Sequence, residues 1–226
     1  MANEPLIHQY IFAGPKPGLS AEAFQSYWVN FHAEDYAAKI PQIKRYLVAT
    51  REKVNHPRPM PFFEGIAEIW LRNDEEQIAS MQTPEFLLGA RADEPRWAAF
   101  WQTFGLDTES EIVKEAEGER REYVNAYILA KRRHGTDREE FARFLSAHAA
   151  EASASPAMRR CVVGIARKGL YGFGEPRFDG IEVWSFDTAA EAGEALAGAG
   201  DWPFADERYV FGMVGREHWV IPPGSR

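Results

Sequence analysis

The residues in this chain that can do chemistry come in short, spaced groups. His8 and Tyr10 lie two positions apart in one strand-like stretch, and Glu68 and Trp70 two apart in another. The stretch FQSYWVNFHA, from Phe24 to Ala33, ends on His32. A carboxylate desolvated beside an indole has its charged form disfavoured, which raises its pKa towards values useful for proton transfer. Tyr10 and His8 can then polarise a carbonyl or stabilise an enolate. Glu182 and Trp184 repeat the pair in the second half. The competing reading makes each Glu a structural group held by an inward Arg such as Arg45 or Arg160.

Strand alternation sorts these residues by face. Ile7, Gln9 and Ile11 alternate with His8, Tyr10 and Phe12; Val124, Ala126 and Ile128 alternate with Asn125, Tyr127 and Leu129. The first set of each is smaller and mostly apolar and suits packing under helices. The second turns His8, Tyr10, Phe12, Asn125 and Tyr127 towards an interior where a ligand meets donors on an aromatic wall. Ile66, Glu68 and Trp70 share a face, as do Glu182 and Trp184, so both halves are expected to aim a Glu and a Trp the same way. The candidate catalytic residues are Glu68, Tyr10, His8 and His32. Trp70, Tyr127, Asn125, Trp184, Glu182 and Phe12 are candidate substrate contacts.

The elements that must carry them emerge from an internal repeat. PQIKRYLVATREK from Pro41 answers to PAMRRCVVGIARK from Pro156, and YIFAGPKPGLSAEAF from Tyr10 to YILAKRRHGTDREEF from Tyr127. FEGIAEIW from Phe63 answers to FDGIEVW from Phe178 with one residue lost. The chain thus reads as a tandem duplication, residues 1–120 and 121–226, with the junction near Arg120. Each copy reads strand, helix, strand, strand, helix, strand. In copy one, strands are expected at Leu6–Ala13, Tyr46–Arg51, Ile66–Leu71 and within ESEIVKEAE. Ser20 N-caps the first helix, and the second follows Asn73-Asp74. In copy two, Thr136 with Glu139 offers a capping box and RYVFGMVGREHWVI supplies the last strand. This βαββαβ order is a ferredoxin-like α+β unit with both helices on one sheet face. Two such units are expected to pack sheet to sheet as an intramolecular barrel.

In the first helix Phe24, Tyr27, Trp28 and Phe31 recur at helical spacing as a buried stripe, with His32 about 100° beyond Phe31 at its edge. His148 follows Phe141 by seven residues and takes Phe31's angle, which suits a packed core histidine.

FQSYWVNFHA, PQIKRYLV and FEGIAEIW together resemble the EthD-type members of the dimeric α/β-barrel superfamily, whose pattern is Phe-x-x-Tyr-Trp-x-x-x-His, Arg-Tyr and Asp-Gly-x-x-Glu-x-Trp. Phe24, Tyr27, Trp28, His32, Arg45, Tyr46, Gly65, Glu68 and Trp70 stand in those places, with Glu64 for the Asp. In copy two Phe144-Leu145 replaces Tyr-Trp. The resemblance implies the fold, a barrel cavity, and relatives that include cofactor-independent oxygenases, isomerases, cyclases and lyases of small aromatic or polyketide-like compounds. It also implies haem-binding cousins, in which a histidine here would be the iron ligand.

Composition narrows the classes. A formal net charge of −8 argues against a nucleic-acid groove, so Lys131 to His134 reads as a solvated turn. No run is long and apolar enough to span a membrane, and the start lacks the pattern of a signal peptide. The single Cys161 excludes an internal disulfide and suits a reducing cytoplasm. Neither zinc-ligand spacing nor a phosphate loop is present. The expectation is a cytoplasmic, cofactor-independent acid/base enzyme of isomerase, cyclase or lyase type, acting on a small hydrophobic, aromatic or carbonyl compound. A cofactor-free monooxygenase and a non-catalytic ligand- or haem-binding barrel are the alternatives. Partners are limited to that small molecule and to a second copy of the chain in a homodimer, with no nucleic acid and no membrane.

Overall fold

The computed structural model describes residues 6–59, 61–118, 122–172 and 174–226. The copy junction near Arg120 lies outside them. The fold is mixed α+β, with eight strands and five α-helices among the described residues. Two compact units divide the chain: Met1–Thr50, Phe62–Asp107 and Glu217–Arg226 form the first, and Arg51–Pro61 with Thr108–Arg216 the second. No helix among the described residues is long and apolar enough to cross a membrane.

The first unit is built on β1 (Ile7–Ala13), then α1 (Ala21–Tyr27), which a π-helix over Trp28–Tyr36 continues. Next come β2 (Arg45–Arg51), β3 (Gly65–Leu71) and α2 (Asp74–Ser80). A second π-turn over Glu85–Ala90 leads into α3 (Arg91–Trp97). β4 runs over Phe104–Lys114, starting before the stretch expected from the sequence. β3 is the central strand, antiparallel to both neighbours, with His8 opposite Trp70 and Tyr10 opposite Glu68. Ser20 Oγ accepts from the Ala23 N–H, the N-cap expected there, and Asn73 Oδ1 accepts from the Glu76 N–H, so that Asn73 caps α2 and Asp74 opens it.

The helix-facing side of this sheet carries Ile7, Ala13, Tyr46, Val48, Ala67 and Ile69, which pack with Phe24, Trp28 and Trp97 in one apolar core. Gly65 allows this close approach: a Cβ there would lie 2.8 Å from Trp28 Cζ3. His8, Tyr10, Glu68 and Trp70 alternate onto the opposite side.

The second unit contains β5 (Val124–Arg132), α4 (Arg138–Ala152), β6 (Arg160–Ala166), β7 (Gly180–Phe186), α5 (Ala189–Ala197) and β8 (Ala205–Ile221), whose last five residues belong to the first unit. β7 pairs antiparallel with β5 and β6, β5 with β8, and the end of β4 with β6. The cap of α4 is Asp137, whose carboxylate accepts from the Glu140 N–H, one residue beyond the expected Thr136. Asp137 sits where the extended backbone turns helical, and its carboxylate takes the orphan donor.

Candidate functional site

The first histidine expected at the site is fixed by its strand neighbours. His8 Nε2 donates to Glu68 Oε2 at 2.8 Å, which leaves Nδ1, 3.1 Å from the Tyr10 hydroxyl, to accept from it. The imidazole stacks on Trp70 at 4.2 Å, and Trp70 on Trp219 at 5.7 Å. His8, Tyr10 and Glu68 are all buried. The structure thus brings four of the expected residues together, and His8 is a hydrogen-bond partner of Glu68. Phe12 continues the same face, stacked on Phe104 at 4.5 Å. Each polar group of this chain spends a hydrogen bond on another member of it.

In the second unit Asn125 Nδ2 donates to the Tyr127 hydroxyl at 3.0 Å, on the side of β5 away from the helices. Glu182 and Trp184 depart from expectation. Both lie on the helix-facing side, where Trp184 packs with Phe141 and Leu145. The His148 ring binds both oxygens of Glu182, at 2.9 and 3.1 Å, and the Trp184 N–H donates to the same carboxylate at 2.9 Å. The residue lost between FEGIAEIW and FDGIEVW explains the change. Counted from the glycine that opens each strand, Glu68 is the third residue after Gly65 and Glu182 the second after Gly180. A one-residue offset sends every later side chain to the other face. The two Glu-Trp pairs therefore point to opposite sides of their sheets.

His148 Nε2 lies 2.9 Å from the Ala199 carbonyl. With acceptors at both ring nitrogens the imidazole is suited to the protonated form. Burial works against that charge, but Glu182 and the Ala199 carbonyl outweigh it and raise the His148 pKa. Burial raises that of Glu182 despite His148.

His32 occupies a different setting. Because the helix loosens into a π-turn at Trp28, it takes more residues per turn than the 3.6 of an α-helix, and the buried line runs Phe24, Trp28, His32. Phe31, expected in the buried stripe, is 52% exposed, and His32 is only 6% exposed. In the all-α helix α4 the matching line is Phe141, Leu145, Ala149, so Ala149 stands where His32 does. His32 Nδ1 is 3.0 Å from Asp93 Oδ2, and the Tyr27 hydroxyl donates to Asp93 Oδ1 at 2.9 Å. Asp93 is itself buried. It lies in α3, 61 residues away in sequence, where nothing in the local pattern marks it as a partner.

His32 lines a cavity of about 70 Å³ between the sheet and the helices of the first unit. Its walls are largely apolar, with Ile11, Ala67 and Ile69 from the sheet and Trp28, Phe86 and Trp97 from the helical side. The polar groups that line it are few. Tyr46 accepts a hydrogen bond from Trp28 Nε1 at 3.2 Å, and burial raises its pKa, keeping the phenol protonated. Burial pushes the Glu94 carboxyl up to about 7, against the pull of Arg91. Trp97 Nε1 is buried without a hydrogen-bond partner, a loss of about 1–3 kcal/mol unless an acceptor enters. Burial also lowers the His32 pKa, outweighing the opposing hydrogen bond and charge of Asp93. With Nδ1–H on Asp93, Nε2 makes no hydrogen bond among the described residues and carries the lone pair of a neutral imidazole. Asp93, Glu94 and Trp97 were not legible as site residues in the sequence; only His32 and the Arg45-Tyr46 pair carried a signal.

Residues 16–100 match the family model described as EthD domain. No curated protein matches the chain. Among solved structures, the chain is similar to an anthrone oxidase-like protein (TM-score 0.61, 14% identity, 98% of this chain and 96% of that one). It is also similar to a protein of Fusobacterium nucleatum subsp. nucleatum ATCC 25586 named provisionally as a monooxygenase (TM-score 0.56, 9% identity, 97% and 94%). A third is a chlorite dismutase variant from Candidatus Nitrospira defluvii (TM-score 0.51, 11% identity, 96% and 93%). At these identities the likeness is one of fold. The chain accordingly shares the fold of these structures, and residues 16–100, from within the GPKPG turn to Phe100, match an EthD domain.

Proposed function

We propose that the protein is an acid/base enzyme that uses His32 as a general base on a small carbonyl compound. The observation that carries this reading is His32 held through Nδ1 by the buried Asp93 while its other nitrogen remains unbonded beside an apolar cavity. A carboxylate-oriented neutral imidazole in a dry pocket is the arrangement that proton abstraction needs. His32 removes a proton from the carbon next to the carbonyl, and the C–H electron pair moves onto the carbonyl oxygen. Glu94, about half protonated at neutrality, delivers a proton at another position as the electron pair returns from the oxygen, and solvent then carries the proton from His32 back to Glu94, so the net reaction is an isomerisation. His32 lowered and Glu94 raised form the divergent pair expected of a base and an acid.

The cavity volume favours the carbonyl limb of the expectation over the aromatic one. About 70 Å³ is under half of the roughly 150 Å³ that takes up benzene in an engineered cavity. Haem fits none of the paired histidines: the His32 cavity is too small for a porphyrin, and both ring nitrogens of His8 and of His148 already face partners. His8, Tyr10 and Glu68 are then positioning residues for the sheet that forms the cavity floor.

A second reading is supported by the names of two structural relatives, an anthrone oxidase-like protein and a provisional monooxygenase. In it the same first proton transfer leaves a carbanion that O2 oxidises. The two separate in one experiment. Proton NMR in D2O under nitrogen, with a panel of enolisable ketones of up to about five heavy atoms, should show catalysed loss of the α-proton signal without O2. Turnover that appears only with O2, with stoichiometric uptake at an oxygen electrode, replaces the isomerase by the oxygenase; no exchange and no uptake removes both.

A further inference from the structure

Resting on the reading of His32 as the base, we propose that the cavity binds its ligand through a carbonyl oxygen that accepts hydrogen bonds from Trp97 Nε1–H and the Tyr46 hydroxyl. Three observations converge on these two donors. Trp97 is 3% exposed, lines the cavity, and has a buried indole N–H with no acceptor among the described residues. An indole nitrogen is a donor only, so no rearrangement of its own can satisfy it. Tyr46, also in the wall, already accepts from Trp28 Nε1, which leaves its own O–H to donate.

The neighbouring rings keep the indole from turning away. Trp97 contacts Phe24 at 5.2 Å, Trp28 at 5.0 Å and His32 at 4.6 Å between ring centroids. A packed aromatic cluster of this kind holds the ring in one place at the cost of leaving its N–H unmet in the free protein. A ligand oxygen repairs that deficit, whereas a hydrocarbon of the same shape leaves it in place. When His32 takes the α-proton, negative charge collects on the oxygen that faces these donors. Tyr46 and Trp97 would then bind the enolate more strongly than the ketone. The pair thus narrows the ligand from any small apolar molecule to one with a carbonyl beside an acidic C–H.

Binding is measured with butanone and with 2-methyl-1-butene, which replaces the carbonyl oxygen by a methylene. The reporters are the Trp97 indole N–H resonance, assigned by its loss in Trp97→Phe, and the His32 ring protons. The expected result is a saturable downfield movement of the Trp97 N–H with butanone and none with the alkene. Trp97→Phe should then weaken butanone about five- to tenfold and leave the alkene unchanged. A Trp97 N–H that stays put while His32 titrates, equal shifts from both probes, or no saturable shift from either overturns the proposal. If Trp97→Phe does not fold, the indole N–H is assigned in the wild type by its Overhauser contacts with the His32 ring 4.6 Å away, and the comparison of the two probes decides alone. Butanone bound as described but with no α-proton exchange sinks the base assignment and leaves the donor pair standing; exchange without movement of Trp97 does the reverse.

Discussion

Asp93→Asn tests the proposed base through the one contact that orients it. Asp93 offers one oxygen to Tyr27 at 2.9 Å and the other to His32 at 3.0 Å. Asparagine has a single oxygen, so it can satisfy Tyr27 or His32 and must turn its amide N–H2 to the other. The Tyr27 hydroxyl can also accept from an amide, but Arg96 Nη1 lies 3.7 Å from the atom that Tyr27 bonds, and this cation together with the Tyr27 donor favours the amide oxygen on that side. The amide then donates to His32 Nδ1, the ring hydrogen moves to Nε2, and the lone pair facing the cavity is gone. Loss of a charge-assisted hydrogen bond alone is worth about 1.5–3 kcal/mol, or roughly 10- to 150-fold. Loss of general-base function is worth about 10²–10⁴-fold, so the variant should fall by at least about a hundredfold in kcat/KM for α-proton exchange. The same reasoning predicts a rescue. Adding Tyr27→Phe frees the amide to flip, restores the Nε2 lone pair, and should recover about tenfold or more. Heteronuclear NMR of the His32 ring reads the tautomer directly, and thermal unfolding controls for damage to the fold. A loss under about threefold in Asp93→Asn, or a double variant no better than the single one, refutes the tautomer argument.

Further expectations follow from the same geometry. The kcat/KM profile should be bell-shaped: it rises as His32 loses its proton, at a pKa below the ordinary histidine value, and falls as Glu94 ionises near pH 7. Glu94→Gln should abolish the alkaline limb, and a profile unchanged by it removes Glu94 as the acid. In the second unit the folded-state pKa values of His148 and Glu182 are both raised, so their contribution to stability is complete below the unfolded values. Stability is lost as pH climbs from each unfolded value through the raised one, so the melting temperature should decline above about pH 4.5 through Glu182 and further above about pH 6.5 through His148. His148→Ala strands a buried carboxylate, at a cost of about 3–5 kcal/mol, which lowers Tm by about 6–20 °C at this chain length. Calorimetry across pH on both proteins checks the two statements, and an unchanged Tm in the variant would contradict them.

The sequence made the strands and N-caps legible because their signals are local. Ser20 caps as read, and β1 separates into the two faces that alternation assigns. Two expectations failed where a single residue changes the phase of a regular element. The π-turn after Tyr27 buries His32 and exposes Phe31, and no residue in WVNFHAEDY announces it. The missing residue after Gly180 was visible, but its consequence, a flipped face for Glu182 and Trp184, follows only when the strand is counted from the glycine. The partner of His32 was illegible for another reason. Asp93, Glu94 and Trp97 come from a helix whose approach to the sheet is set by packing over 61 or more residues of separation, which no spacing rule reports.

The central claim, that His32 is the base, is tested most directly by the α-proton exchange rate of His32→Gln set against that of the wild type. Both are measured by NMR in D2O at one ketone concentration. The expected result is a fall of at least about a hundredfold, with butanone still shifting the Trp97 N–H. An exchange rate within about twofold of the wild type would contradict it.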